Sequence, residues 1–114
     1  MATYSNNTTI KVGNTVSIYH SGGNNLQTYT VPAGSMLEAS SITVGGVGPN
    51  ARGFFRVTYP GAPEQTILAP GYGASATIEK IKYPAGSILE FEAERFFSDN
   101  ASYQLIGFLS TNTP

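Results

Sequence analysis

Apolar and polar residues alternate along Ile88–Phe97, with Leu89, Phe91 and Ala93 on one face and Glu90, Glu92 and Glu94 on the other. A period of two is that of a half-buried β-strand. Seven further strand-like runs are bounded by turn residues: Thr15–Tyr19, Leu26–Val31, Met36–Val44, Gly53–Tyr59, Gln65–Leu68, Thr77–Tyr83 and Ser102–Leu109. Pro32-Ala33-Gly34-Ser35-Met36-Leu37-Glu38 returns 52 residues later as Pro84-Ala85-Gly86-Ser87-Ile88-Leu89-Glu90, six of the seven positions being identical. An echo at near half the chain length implies two copies of one supersecondary unit. The expected fold is therefore all-β: an eight-stranded antiparallel jelly-roll-like β-sandwich built from two four-stranded pseudo-repeats. The sandwich is expected over residues 13–110. Residues 1–12 form an N-terminal arm or edge strand, and 111–114 a polar tail.

Leu89 and Phe91 belong in the core, where each contributes about 1.5–3 kcal/mol by burial. The carboxylates opposite them read as a solvated outer face. A cation site is rejected, since side chains two apart on a strand lie about 6.6–7 Å from each other and no Asp-rich loop helps to close a shell. Two other strands are apolar on both faces. Phe54 lies opposite Phe55, Val57 and Tyr59, while Ile106 and Phe108 lie opposite Tyr103, Leu105 and Leu109. A strand without a polar face needs cover on both sides. Phe54, Ile106 and Phe108 are thus the candidate contacts of a homo-oligomer.

In each Pro-Ala-Gly corner proline suits turn position i+1, and the glycine two residues later takes φ > 0. The corner is architectural and carries no nucleophile or base.

Composition removes several function classes. At 114 residues there is one domain. The absence of cysteine removes disulfides, thiolate metal sites and thiol nucleophiles. Thirteen glycines, seven prolines and only 11% charged residues describe short strands joined by tight turns. A net charge of −1 with no basic run argues against nucleic acid. No apolar stretch approaches the roughly 18 residues of a membrane span. Neither a basic start nor an apolar block marks a signal peptide at the N-terminus, so synthesis in the cytosol is expected.

Catalytic constellations are not evident. His20, next to Ser21, suggests a triad, but neighbours on a strand point to opposite faces and no carboxylate is close in sequence. It reads better as a surface or turn-capping histidine. Glu64, Glu79, Glu90 and Glu92 offer carboxylates for glycoside hydrolysis without a deep cleft to hold them. Gly45-Gly46-Val47-Gly48 precedes a strand instead of a phosphate-cradling helix, and reads as a flexible loop. No enzyme activity and no cofactor or metal are expected. The candidate contact residues for a ligand or partner are Tyr72, set between two glycines at a turn tip, Arg52 after a turn, and His20.

Tyr29-Thr30-Val31-Pro32-Ala33-Gly34, followed by an alternating strand and a glycine-rich loop, resembles the small all-β structural proteins of tailed bacteriophages. These are capsid decoration (cement) proteins and tail-fibre knob domains. The resemblance implies a virion component made in a bacterial cytosol, commonly a homotrimer, seated on the major capsid protein or a fibre shaft. The leading expectation is a decoration protein that stabilises a phage head. The alternative is a receptor- or carbohydrate-binding knob that contacts a surface glycan.

Overall fold

Turn chemistry divides the chain, and alternation decides which face of each strand is buried. A computed structural model describes residues 9–12 and 14–111. Among them lie nine strands: β1 (Thr9–Val12), β2 (Thr15–Gly22), β3 (Asn25–Thr30), β4 (Ser35–Val47), β5 (Ala51–Thr58), β6 (Gln65–Leu68), β7 (Ser75–Pro84), β8 (Ile88–Arg95) and β9 (Asn100–Thr111). All pair antiparallel, in a five-stranded sheet of order β1-β2-β9-β4-β7 and a four-stranded sheet of order β3-β8-β5-β6. Strands β2–β9 are the expected eight, four to a sheet. β1 adds an edge to the larger sheet, within the segment expected to be an arm or edge strand. Thr111 ends β9, and residues 112–114 of the expected tail lie outside the described residues.

The two copies of the repeat are interleaved. The first copy is β2–β5 and the second β6–β9, and equivalent strands lie in opposite sheets. Replacing each strand by its equivalent turns the order β2-β9-β4-β7 into β6-β5-β8-β3, which is the other sheet. Each sheet therefore takes two of these strands from each copy. Neither copy has a core of its own.

Val16 and Ile18 of β2, Leu37, Ile42 and Val44 of β4, and Leu105 of β9 meet Phe55, Val57, Leu89 and Phe91 of the opposing sheet, all fully buried. A file of stacked and edge-on rings runs through this core: Tyr59–Tyr83 (6.0 Å), Tyr83–Phe55 (6.1 Å), Phe55–Phe91 (5.0 Å), Phe91–Tyr103 (5.3 Å) and Tyr103–His20 (5.5 Å). Such spacings are favourable for aromatic pairs. In β4 a bulge between Ala39 and Ser41 resets the alternation, so Leu37 and Ala39 before it and Ile42 and Val44 after it all face inward.

Two expectations are corrected. Proline occupies position i of each corner instead of i+1, because the Ser35 and Ser87 N–H groups return to the Pro32 and Pro84 carbonyls. That places Gly34 and Gly86 at i+2 with φ 78° and 87°, as a type II turn requires. Gly45-Gly46-Val47 is the end of β4, not a flexible loop. A Cβ at Gly46 would overlap the Ala51 carbonyl, so glycine permits the close backbone approach there.

Candidate functional site

Opposite charges at the same period of two on β5 and β8 bring a polar row to the outer face of the four-stranded sheet. The register sets Arg52 opposite Glu94, Phe54 opposite Glu92 and Arg56 opposite Glu90. Cross-strand pairs of this kind are the local unit of sheet stabilisation. Arg56 spans two carboxylates, donating from Nη1 to Glu90 Oε1 (3.0 Å) and pairing through Nη2 with Glu92 Oε1 (2.9 Å). Burial works against the Arg56 charge, but hydrogen bonds and Coulomb attraction from Glu92 and Glu90 outweigh it and raise its pKa. Phe54 lies between two guanidinium groups, with Arg52 Cζ 4.4 Å and Arg56 Cζ 4.9 Å from its ring centroid.

Tyr72 ends the row. Its turn is held by the Gly73 N–H on the Ala51 carbonyl (2.9 Å) and the Ala74 N–H on the Gly71 carbonyl (3.0 Å). The phenol donates to Glu94 Oε1 at 2.8 Å, which favours the neutral form and raises the Tyr72 pKa. Arg52 Cζ sits 4.9 Å from the same ring, and the Phe96 ring lies 5.9 Å away. The result is a continuous series of rings and guanidiniums, Phe96–Tyr72–Arg52–Phe54–Arg56, edged by three glutamates. Tyr72 and Phe96 remain 43% and 54% exposed, so ring surface is offered to solvent beside fixed donors and acceptors. The face is open, with no enclosed cavity among the described residues.

The structure thus joins Tyr72 and Arg52, which were singled out separately. His20 is corrected. It is 5% exposed, stacks on Tyr103, and sets Nε2 2.7 Å from the Gly23 carbonyl, to which that nitrogen donates. It holds the β2–β3 turn and cannot meet a ligand. Phe54 is corrected as an interface residue, because Arg52 and Arg56 cover its ring from within the same chain. Ile106 and Phe108 do face outward, 42% and 41% exposed, on the opposite face of the molecule from this row. The glutamates are not a plain solvated face, since Arg56 and Tyr72 occupy them. No group of three or more His, Cys, Asp or Glu able to hold a metal occurs among the described residues.

Phe96 and Arg56 escaped the sequence reading, and Glu94 was read only as part of a solvated face. The detectable signal was Arg52-x-Phe54-x-Arg56 matched by Glu90-x-Glu92-x-Glu94 at the same spacing.

The sequence matches no protein-family model and no curated protein. Among solved structures, the fold is similar to the carbohydrate-binding module TmCBM61 in complex with β-1,4-galactotriose. The likeness covers 93% of this chain and 69% of that one, at 18% identity and a TM-score of 0.42. The expectation of a capsid decoration protein is corrected on this finding. The capsid partner is set aside with the decoration reading.

Proposed function

We propose that the chain is a non-catalytic carbohydrate-binding domain that holds a neutral glycan on the outer face of the four-stranded sheet. The observation that carries this reading is Tyr72: a half-exposed ring whose hydroxyl is fixed on Glu94 and whose face lies against Arg52. A sugar ring presents a patch of C–H groups that packs on an aromatic face, and hydroxyls that need donors and acceptors at its edge. Tyr72 and Phe96 supply the first, and Arg52 and Glu94 the second. The Arg52 guanidinium is packed between the Phe54 and Tyr72 rings, which limits its freedom. A rigid donor of that kind loses little freedom on binding.

Three carboxylates against two guanidiniums leave the row net negative, which disfavours phosphate backbones and acidic sugars. Those carboxylates are engaged, Glu90 and Glu92 by Arg56 and Glu94 by Tyr72, and are not set as an acid and base about a cleft. Their engagement supports binding without cleavage. A printed array of neutral and acidic glycans, followed by titration calorimetry, tests the reading. Binding to neutral glycans that Tyr72→Ala abolishes is expected. An array blank for neutral glycans, or a Tyr72→Ala variant with the parent's affinity, overturns it.

Self-association belongs to a different surface. We place it on the outer face of the five-stranded sheet, where Tyr19, Ile106 and Phe108 are exposed and the glycan row is left clear.

A further inference from the structure

Phe97 is the most exposed large apolar side chain among the described residues, at 86%. It is also one of two non-glycine residues there with positive φ, at 61°. A bulky residue in the left-handed region is strained, and strain of this kind gathers where presentation of a side chain matters. Nothing in the packing accounts for the ring, which is almost wholly in solvent.

The loop beneath it is firmly held. The Arg95 N–H donates to Asn24 Oδ1 (2.7 Å) and the Phe96 N–H to the Asn50 carbonyl (2.8 Å). On the far side of Phe97, Asp99 Oδ2 accepts the Asn50 N–H (2.8 Å), and the Asp99 carbonyl accepts Arg95 Nη1 (3.4 Å). Both shoulders of the loop are tied to neighbouring turns, so the Phe97 ring is carried on a fixed backbone. Its chain neighbour Phe96 already touches Tyr72 at the end of the row.

We infer that Phe97 is a second stacking platform, which packs on a further sugar unit of the same glycan and makes the ligand an oligosaccharide chain instead of a single sugar. This rests on the carbohydrate reading above. Phe97 is the chain neighbour of Phe96, the last ring of the row Arg56–Phe54–Arg52–Tyr72–Phe96, so a glycan lying along the row and extended past Phe96 is expected to meet it. Glycine at 97 separates the ring from the fold, because it removes the ring and relieves the backbone strain together.

The test is calorimetric titration of the full chain with galacto-, cello- and xylo-oligosaccharide ladders of one to about six units, alongside thermal melts. The parent is expected to gain on the order of tenfold in affinity at the length that reaches Phe97, a single aromatic contact's worth. Phe97→Gly is expected to lose that step while melting at or above the parent temperature, and Phe97→Tyr to keep it. Tyr72→Ala is expected to lose binding at every length. A parent that binds without any gain in affinity with length overturns the inference, as does a Phe97→Gly variant that keeps the full gain or a Phe97→Tyr variant that loses it. In each of these cases the carbohydrate reading stands. A parent that binds none of the ladders overturns the inference, and with an array blank for neutral glycans the carbohydrate reading falls as well.

Discussion

Gly34 and Gly86, 52 positions apart, hold the same left-handed backbone, at φ 78° and 87°. Each closes a turn in which a serine N–H returns to a proline carbonyl, at 3.2 Å for Ser35 to Pro32 and 3.1 Å for Ser87 to Pro84. The two corners are also bonded to each other. The Val31 N–H meets the Ser87 carbonyl and the Gly86 N–H meets the Val31 carbonyl, both at 2.9 Å.

Valine at either position places a β-branched residue where φ must stay positive, at a cost of about 1–3 kcal/mol. Space at Gly34 is open, whereas a Cβ at Gly86 meets Pro60 Cγ at 3.3 Å. Gly86→Val is therefore expected to lower the denaturant midpoint more than Gly34→Val does. Equal midpoints for both variants and the parent would show that neither turn depends on glycine.

These corners were legible because their chemistry is local. The same holds for the core: Leu89, Phe91, Ala93, Phe55 and Val57 follow directly from alternation within single strands. The site was not, because Arg52 and Glu94 become neighbours only through the β5–β8 register. Each strand taken alone shows three acids, or two cations about a phenylalanine, and both read as ordinary surface. His20 was legible as a turn cap, since its bond to the Gly23 carbonyl is local, but its burial was not, because that comes from stacking on Tyr103 across the β2–β9 pair.

Tyr83 carries a buried hydroxyl with no hydrogen-bond partner, and its response to alkali follows from the same burial. Burial raises the Tyr83 pKa, and pushes that of Tyr103 up to about 12. Both phenols are neutral in either state below the ordinary value of about 10. Above it the unfolded chain releases protons that the native state retains, so stability falls as pH rises toward about 12. The slope is up to about 1.4 kcal/mol per pH unit for each tyrosine. Tyr83→Phe removes the unsatisfied group, and is expected to add about 1 kcal/mol near neutral pH. Melts from neutral pH into alkali, with phenolate absorbance as the second signal, should also show a shallower decline for this variant than for the parent. An unchanged slope would remove Tyr83 from the account.

Arg56 is the one cation bridging two glutamates on the row, and the three side chains are only 14–21% exposed. Arg56→Met leaves Glu90 and Glu92, side by side on β8, without the cation that bridges them, at an expected cost of about 2 kcal/mol. A double-mutant cycle with Glu92→Gln should return a coupling of about 1 kcal/mol. Additive losses would mean that the pair contributes no coupling in solution.

Phe108 lies beside Thr15 and Glu38 in the register of the five-stranded sheet, with its ring outward. Self-association through this face predicts a parent heavier than a monomer at tens of micromolar by equilibrium sedimentation. Phe108→Asp buries an unpaired charge in that contact and is expected to give a monomer. A monomeric parent, or a variant of the parent's mass, removes the basis for association here.

Arg52 decides whether the row acts as a recognition surface or only as a strap across the sheet. Its guanidinium lies 4.4 Å from the Phe54 centroid and 4.9 Å from that of Tyr72. Lysine keeps the charge but has neither the planar face that stacks between two rings nor the fixed fork of donors. Arg52→Lys is therefore expected to weaken glycan binding on the order of tenfold, a loss typical of one aligned, charge-assisted donor. The melting temperature should move little, since the cross-strand ion pairs on this face belong to Arg56 and not to Arg52. Calorimetric titration beside a thermal melt separates the two roles. A large drop in melting temperature with unchanged affinity would make Arg52 a structural strap, and the donor beside Tyr72 would have to be sought elsewhere on the row.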